Sequence, residues 1–221
     1  MKNIINFLAE LRKAGMPLKT VYDVGACVGD WSRVIKENIL PFSEFILFEA
    51  NPDYKQNLDQ TGFRYFLDVL SNPEREYVEF YNGKNTGDSY YRETTKFYDN
   101  FSGIKLPCTT LDKLVKDNNL PIPNIIKLDT QGSELDILAG AESFINEVDI
   151  IIAELPIVQY NYGAPKIQEY LEYFKKKRFV PVRTTDFHIA EDTILHLDFI
   201  FMREQVKNRY LIPNNNFRPF E

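Results

Sequence analysis

Five short, almost wholly apolar runs punctuate the chain: TVYDVG, EFILFEA, FRYFLDVL, NIIKLDT and VDIIIAEL. Continuous hydrophobicity over such short spans marks strands buried on both faces, which is the pattern of a parallel sheet. Between them lie GDWSRVIKENIL, NPDYKQNLDQ, GSELDILAGAESFI and PKIQEYLEYFKKK, whose apolar residues recur at helical spacing. Strand and helix in alternation build parallel βαβ units, so the predicted fold is α/β, with helices on both faces of a mostly parallel sheet.

Two stretches break the rhythm. REYVEFYN alternates like a strand, leads into GKNTGDSYYRETTKFYDNFSG, and is followed by the strand-like IKLPC. Residues 83–103 therefore read as an inserted hairpin or long functional loop. In the tail, FVPVRT and TILHLDFIFM flank a polar turn and predict a terminal antiparallel pair.

At the other end, Ile4, Phe7, Leu8 and Leu11 share one face of a helix predicted over residues 1–15. The 221 residues, 44% hydrophobic, suit one domain spanning 1–221 with a sizeable core. No apolar run approaches about 18 residues, so the expectation is a soluble, cytoplasmic protein without membrane insertion. A net charge of -6 supplies no positive field for a nucleic-acid backbone, and none is expected as partner. Cys27 and Cys108 match neither a metal cluster nor a disulfide framework and read as reduced core thiols. Oligomeric state has no signature in the sequence.

The first strand runs into Asp23-Val24-Gly25-Ala26-Cys27-Val28-Gly29, and helical spacing begins at once. Strand, glycine turn and helix together form a nucleotide-type binding edge, where Gly25, Ala26 and Gly29 bring backbone close to a ligand. A dinucleotide loop would carry glycine at position 27, which is Cys here, and Asp23 would repel a pyrophosphate. A cationic, phosphate-free ligand fits better, with Asp23 holding an ammonium. Glu49, beside Ala50 at the end of the second strand, is placed to accept both hydroxyls of a ribose. Asp68, with Val69 as apolar neighbour, is placed to accept from an adenine amino group. These features together predict S-adenosylmethionine as the ligand.

The segment Ile126-Lys127-Leu128-Asp129-Thr130-Gln131-Gly132-Ser133-Glu134, continuing to Leu138-Ala139-Gly140-Ala141-Glu142, resembles the signature of the FkbM family of class I methyltransferases. Thr110-Leu111-Asp112 resembles the family's lead-in, and Glu154 its acid at the end of the fifth strand. Gln131 departs from the pattern, standing where the family usually has Glu. The resemblance implies a Rossmann-like, seven-stranded sheet with an antiparallel last strand. It also implies S-adenosyl-L-methionine as methyl donor and transfer to oxygen of a small-molecule or glycan acceptor.

A hydroxyl nucleophile must lose its proton, and the candidates are strand-end carboxylates. Asp129 is expected to contact the donor's methionine end or the acceptor, and Glu134 to orient or deprotonate the acceptor. The bland alternative has Glu134 capping its helix. Glu154 is a third acid, yet the site is read as metal-free. His196 reads as a strand residue, and His188, in a predicted loop, as an alternative base. Within the insertion, Asn85, Ser89 and Tyr90 are expected to face acceptor or donor, against the alternative of a surface loop docked by its tyrosines. Lys175, Lys176, Lys177 and Arg178 read as the solvated end of a helix. Two competing functions stand beside the methyltransferase: a catalytically silent S-adenosylmethionine-binding module, and an NAD-dependent oxidoreductase.

Overall fold

The structure, a computed structural model, describes residues 1–83, 87–190 and 192–211. A seven-stranded sheet forms its centre, in the order β3-β2-β1-β7-β8-β10-β9. Its members are β1 (Thr20–Val24), β2 (Glu44–Glu49), β3 (Arg64–Leu67), β7 (Ile125–Leu128), β8 (Ile150–Pro156), β9 (Phe179–Ala190) and β10 (Thr193–Arg203). All pairings from β3 to β8 are parallel, while β10 runs antiparallel to both β8 and β9. The predicted mixed sheet with its antiparallel last strand is therefore the observed one.

Both faces are covered. On one, Ile4, Phe7, Leu8 and Leu11 of α1 (Lys2–Lys13) pack with Ile35 of α2 (Asp30–Asn38) and Leu58 of α3 (Lys55–Asp59) against Val21, Leu47, Ile125 and Ile150. On the other, α4 (Leu111–Asn118), α5 (Glu134–Ala139) and α6 (Ile167–Lys176) bury Leu111, Ile137, Tyr170 and Phe174 against Tyr22, Phe48, Ile126 and Ile151. Odd and even strand positions thus feed two separate cores, as the two-residue period of a strand requires. The four apolar residues predicted for the N-terminal helix are all buried. A short α7 (Glu204–Tyr210) follows β10. Among the described residues no helix is long and apolar enough to cross a membrane.

The sequence reading needs three corrections here. FRYFLDVL is not one strand: β3 ends at Leu67, and Val69–Leu70 form β4 of a second sheet, ordered β4-β6-β5. Its other strands, β5 (Tyr77–Phe80) and β6 (Ile104–Thr109), flank the insertion on either side. His188 lies within β9, opposite His196, and not in a loop. LDKLVKDN, unassigned in the sequence, is α4, started by Thr110 Oγ1 accepting from Lys113 N.

Candidate active site

The parallel strands end together, and the loops leaving them enclose a cleft. Gly25 turns the chain out of β1 at φ +75°, a conformation that strains other residues. A Cβ there would lie 2.0 Å from the Asp129 carbonyl oxygen, so glycine is what lets the ends of β1 and β7 close. The turn holds itself rather than offering donors outward. The N–H groups of Gly25 and Ala26 donate to Phe48 O, that of Cys27 to Glu49 Oε2, and that of Gly29 to Ala26 O. Ala26 and Gly29, expected to touch the ligand through backbone, have these N–H groups already committed and do not line the cleft.

Gly25, Glu49, Ala50, Asp68, Val69 and Asp129 do line it, joined by Cys27, Tyr54, Leu70, Ser89, Tyr90 and Thr130. Glu49 is 8% exposed, with Oε1 accepting from Asn51 N at 2.8 Å and Oε2 from Cys27 N at 2.7 Å. A carboxylate has about four acceptor positions, so acceptor capacity remains beyond the backbone N–H groups of Asn51, Cys27 and Ala50. Burial pushes the Glu49 carboxyl upward, and its backbone N–H partners oppose that shift. Asp68 occupies the single residue between β3 and β4, where the chain leaves one sheet for the other. Burial raises its pKa as well.

Asp23 is placed differently from expectation. It is fully buried, with Ser32 Oγ donating to Oδ2 at 2.7 Å and Lys127 Nζ 3.2 Å from Oδ1 in an ion pair without hydrogen-bond alignment. The register pairs Asp23 with Lys127 across β1 and β7, one residue before either strand ends, and this carboxylate lies on the sheet face covered by α2, outside the cleft wall. Lys127 also reaches Asp129 Oδ2 at 3.3 Å and the Gly25 carbonyl at 3.2 Å. Burial alone would lower the Lys127 pKa, but Asp23 and Asp129 more than offset this and raise it.

Glu134 is also a correction. It is 1% exposed and accepts from Thr130 N at 2.9 Å, Thr130 Oγ1 at 3.1 Å, Gly132 N at 3.1 Å and Tyr170 OH at 2.5 Å. With its acceptor positions filled and no place in the cleft wall, it organises the Thr130–Ser133 turn that leads into α5, a role neither alternative named, since its backbone donors precede the helix.

Asp129 stands at a border. Its side chain is 44% exposed. It lines both the cleft and a second recess, bounded by α1, Trp31, Lys127, Ile152, Glu154 and Asp198. Glu154 and Asp198 face each other across β8 and β10. Burial first, then the charges of Asp129, Glu134 and Asp198, push the Glu154 carboxyl up to about 9. Glu154 Oε2 is 3.2 Å from His196 Nε2, and Tyr160 OH is 3.1 Å from His196 Nδ1. His196 is thus a strand residue, as expected, whose ring nevertheless joins the strand-end polar groups. Among the described residues no group of three or more His, Cys, Asp or Glu is arranged to hold a metal.

The insertion divides its labour. Tyr98 is fully buried and docks it, while Ser89 and Tyr90 line the cleft. Asn85 lies outside the described residues. Cys27 is no core thiol: it is half-buried in the cleft wall, and Cys108 is half-buried too. Cys27, Tyr54 and Thr130 escaped the sequence reading because only the folded turn, at φ +52° for Cys27, aims them at a common space.

The sequence matches the family described as Methyltransferase FkbM domain over residues 23–201. It is 23% identical over 144 residues to the hexuronic acid methyltransferase AglP of Haloferax volcanii, covering 61% of this chain and 55% of that protein. The chain thus spans about half the length of this curated relative. Among solved structures, the FkbM methyltransferase of Methylobacillus flagellatus aligns with TM-score 0.51 and 17% identity, covering 82% of this chain and 43% of the other. Magnesium protoporphyrin IX methyltransferase of Synechocystis, solved with S-adenosylmethionine bound, aligns with TM-score 0.50 and 10% identity, covering 91% and 78%. A cleft of strand-end acids over a closed glycine turn suits that donor, and with the family matched across most of its length the chain belongs to the FkbM methyltransferases, enzymes that use S-adenosylmethionine.

Proposed function

We propose that the protein methylates a hydroxyl oxygen of a sugar, glycan or small natural product. The observation that carries this reading is the position of Asp129, shared between the donor cleft and the recess beside it. A group there meets both the methyl donor and whatever approaches from the recess. The sugar-acting relative in Haloferax volcanii supports a carbohydrate acceptor.

The donor, when bound, supplies an activated methyl group. Glu49 would hold the ribose hydroxyls through its remaining acceptor capacity, and Asp68 would receive the adenine amino group beside Val69. Gly25, Ala50 and Asp129 border the rest of the donor. Asp129, fixed by Lys127, accepts the proton of the acceptor hydroxyl. Orientation contributes most, up to roughly 7–11 kcal/mol for well-placed reactants, and the base adds roughly 10²–10⁴-fold. Nucleic acid and membranes are not acceptors in this reading, because the charge of -6 opposes both.

The test is incubation with isotopically labelled S-adenosylmethionine and, separately, a panel of methyl glycosides, oligosaccharides and total RNA. Label in a carbohydrate hydroxyl supports the proposal, and Asp129→Asn then lowers turnover by roughly two to four orders of magnitude, far more than it weakens donor binding. Label in RNA alone, or donor binding without transfer to any member of the panel, overturns it.

A further inference from the structure

Four side chains beyond Asp129 close a ring of hydrogen bonds that the mechanism above does not use. Gln131 Nε2 is 3.3 Å from Asp129 Oδ1 and 3.2 Å from Glu154 Oε1, and its two hydrogens serve the two carboxyl groups. Gln131 Oε1 accepts from Tyr160 OH at 3.2 Å. The single tyrosine hydrogen is then spent, so at 3.1 Å Tyr160 oxygen receives Nδ1–H of His196. A neutral imidazole carrying its hydrogen on Nδ1 has a bare Nε2, and that atom faces Glu154 Oε2 at 3.2 Å. The contact closes only if Glu154 carries a proton, or if the imidazole gains a second. Each form places one proton between the two residues.

Backbone geometry holds the ring in place. Gln131 adopts φ +53°, a strained left-handed conformation for a residue with a side chain, fixed by the turn that Glu134 organises. Four separate segments contribute: the β7–α5 turn, β8, the loop carrying Tyr160, and β10.

We propose that Gln131, Tyr160 and His196 are positioning residues for the Asp129 carboxylate, joined in a ring whose closure requires one proton held between Glu154 and His196. The proposal rests on the reading that Asp129 borders bound donor. It gives Gln131 a role that a glutamate at this position, without the amide hydrogens, does not fill. A third carboxylate between Asp129 and Glu154 would add repulsion in place of two hydrogen bonds.

The charges around the pair decide which residue keeps the proton. Asp129 just after β7, Glu134 from α5 and Asp198 from β10 all disfavour a charged Glu154, and Lys127 opposes them. Burial and His188 on β9 lower the His196 pKa, against weaker opposition from Asp129 and Asp186. The neutral pair therefore prevails at neutral pH, with the proton on Glu154.

Only two histidines exist in the chain, which makes the experiment clean. With ¹⁵N-histidine labelling, His196 should show the neutral Nδ1–H tautomer at pH 7, and its signals should inflect near pH 9 as Glu154 ionises. No histidine ionises in that range by itself. Glu154→Gln, whose amide also donates to Nε2, should keep the tautomer and abolish the inflection. Calorimetry with S-adenosylhomocysteine reads positioning: Tyr160→Phe and His196→Ala should each weaken binding about five- to tenfold, the worth of one oriented hydrogen bond. Circular dichroism confirms that each variant is folded.

An Nε2–H tautomer or an imidazolium at pH 7 overturns the proton assignment. Unchanged affinity in both variants, against normal wild-type binding, overturns positioning alone. Absence of wild-type binding overturns the donor reading and this proposal with it.

Discussion

Glu134→Ala distinguishes an organiser of the active-site turn from a group that works on the acceptor. The substitution strands Thr130 N–H, Gly132 N–H and Tyr170 O–H, all of which donate to Glu134 in the native protein. Each buried donor left without a partner costs roughly 1–3 kcal/mol. Thr130 Oγ1 is the fourth donor, and its hydroxyl can rotate to another partner. If one of the three finds water in the vacated space, the net loss is about 2–6 kcal/mol, a large part of the 5–15 kcal/mol of a typical domain. Glu134→Gln keeps the shape and one acceptor oxygen, and should cost roughly half as much. Urea unfolding followed by circular dichroism measures both, with an unchanged slope as the check on two-state behaviour. A Glu134→Ala protein within about 0.5 kcal/mol of wild type, the range of an ordinary surface substitution, would refute the organising role. Loss of methyl transfer with full stability would restore the residue to acid–base chemistry.

Further expectations follow from neighbouring contacts. Glu49→Ala removes the carboxylate that holds both Cys27 N–H and Asn51 N–H, and S-adenosylhomocysteine affinity should fall at least about tenfold by calorimetry. Lys127→Met leaves Asp23 buried and without its counter-charge, so urea unfolding should show a loss of about 3–5 kcal/mol. In Gly25→Ala the new methyl group meets the Asp129 carbonyl, and the left-handed backbone adds about 1–2 kcal/mol of strain, so donor affinity and melting temperature should fall together. Burial, followed by the charges of Asp129 and Asp186, raises the Asp198 pKa to about 6. The folded state then holds this proton more tightly than the unfolded chain, so its contribution to stability declines as pH rises from about 4 to about 6. Asp198→Asn should therefore match wild type near pH 4 and exceed it at pH 7.5 in thermal melts.

How far the site could be read in advance depended on what each residue answers to. Glu49 and Ala50 mark the end of β2, Asp68 follows β3 with Val69 next to it, and a residue at the end of a buried parallel strand has few places to go. Asp23 also ends near such a strand, yet it turned inward, because its fate depended on Lys127 arriving at the same register on a strand about a hundred positions later. Gly25 was legible as a turn. That it closes β1 against the Asp129 carbonyl was not, since a close approach between two backbones leaves no mark in either segment.

The family was carried by the resemblance of residues 126–142 to its signature, while periodicity by itself determined the core parallel strands, the two-sided covering of the sheet and the antiparallel end. These depend on local spacing and on burial of apolar surface, both of which are written along the chain. Only the tertiary structure decided that Glu134 serves the turn and Cys27 the cleft, that Tyr98 docks the insertion while Tyr90 faces the ligand space, and that His196 meets Glu154. Those outcomes hang on hydrogen bonds and charges between distant segments, whose partners and burial exist only once the sheet has assembled.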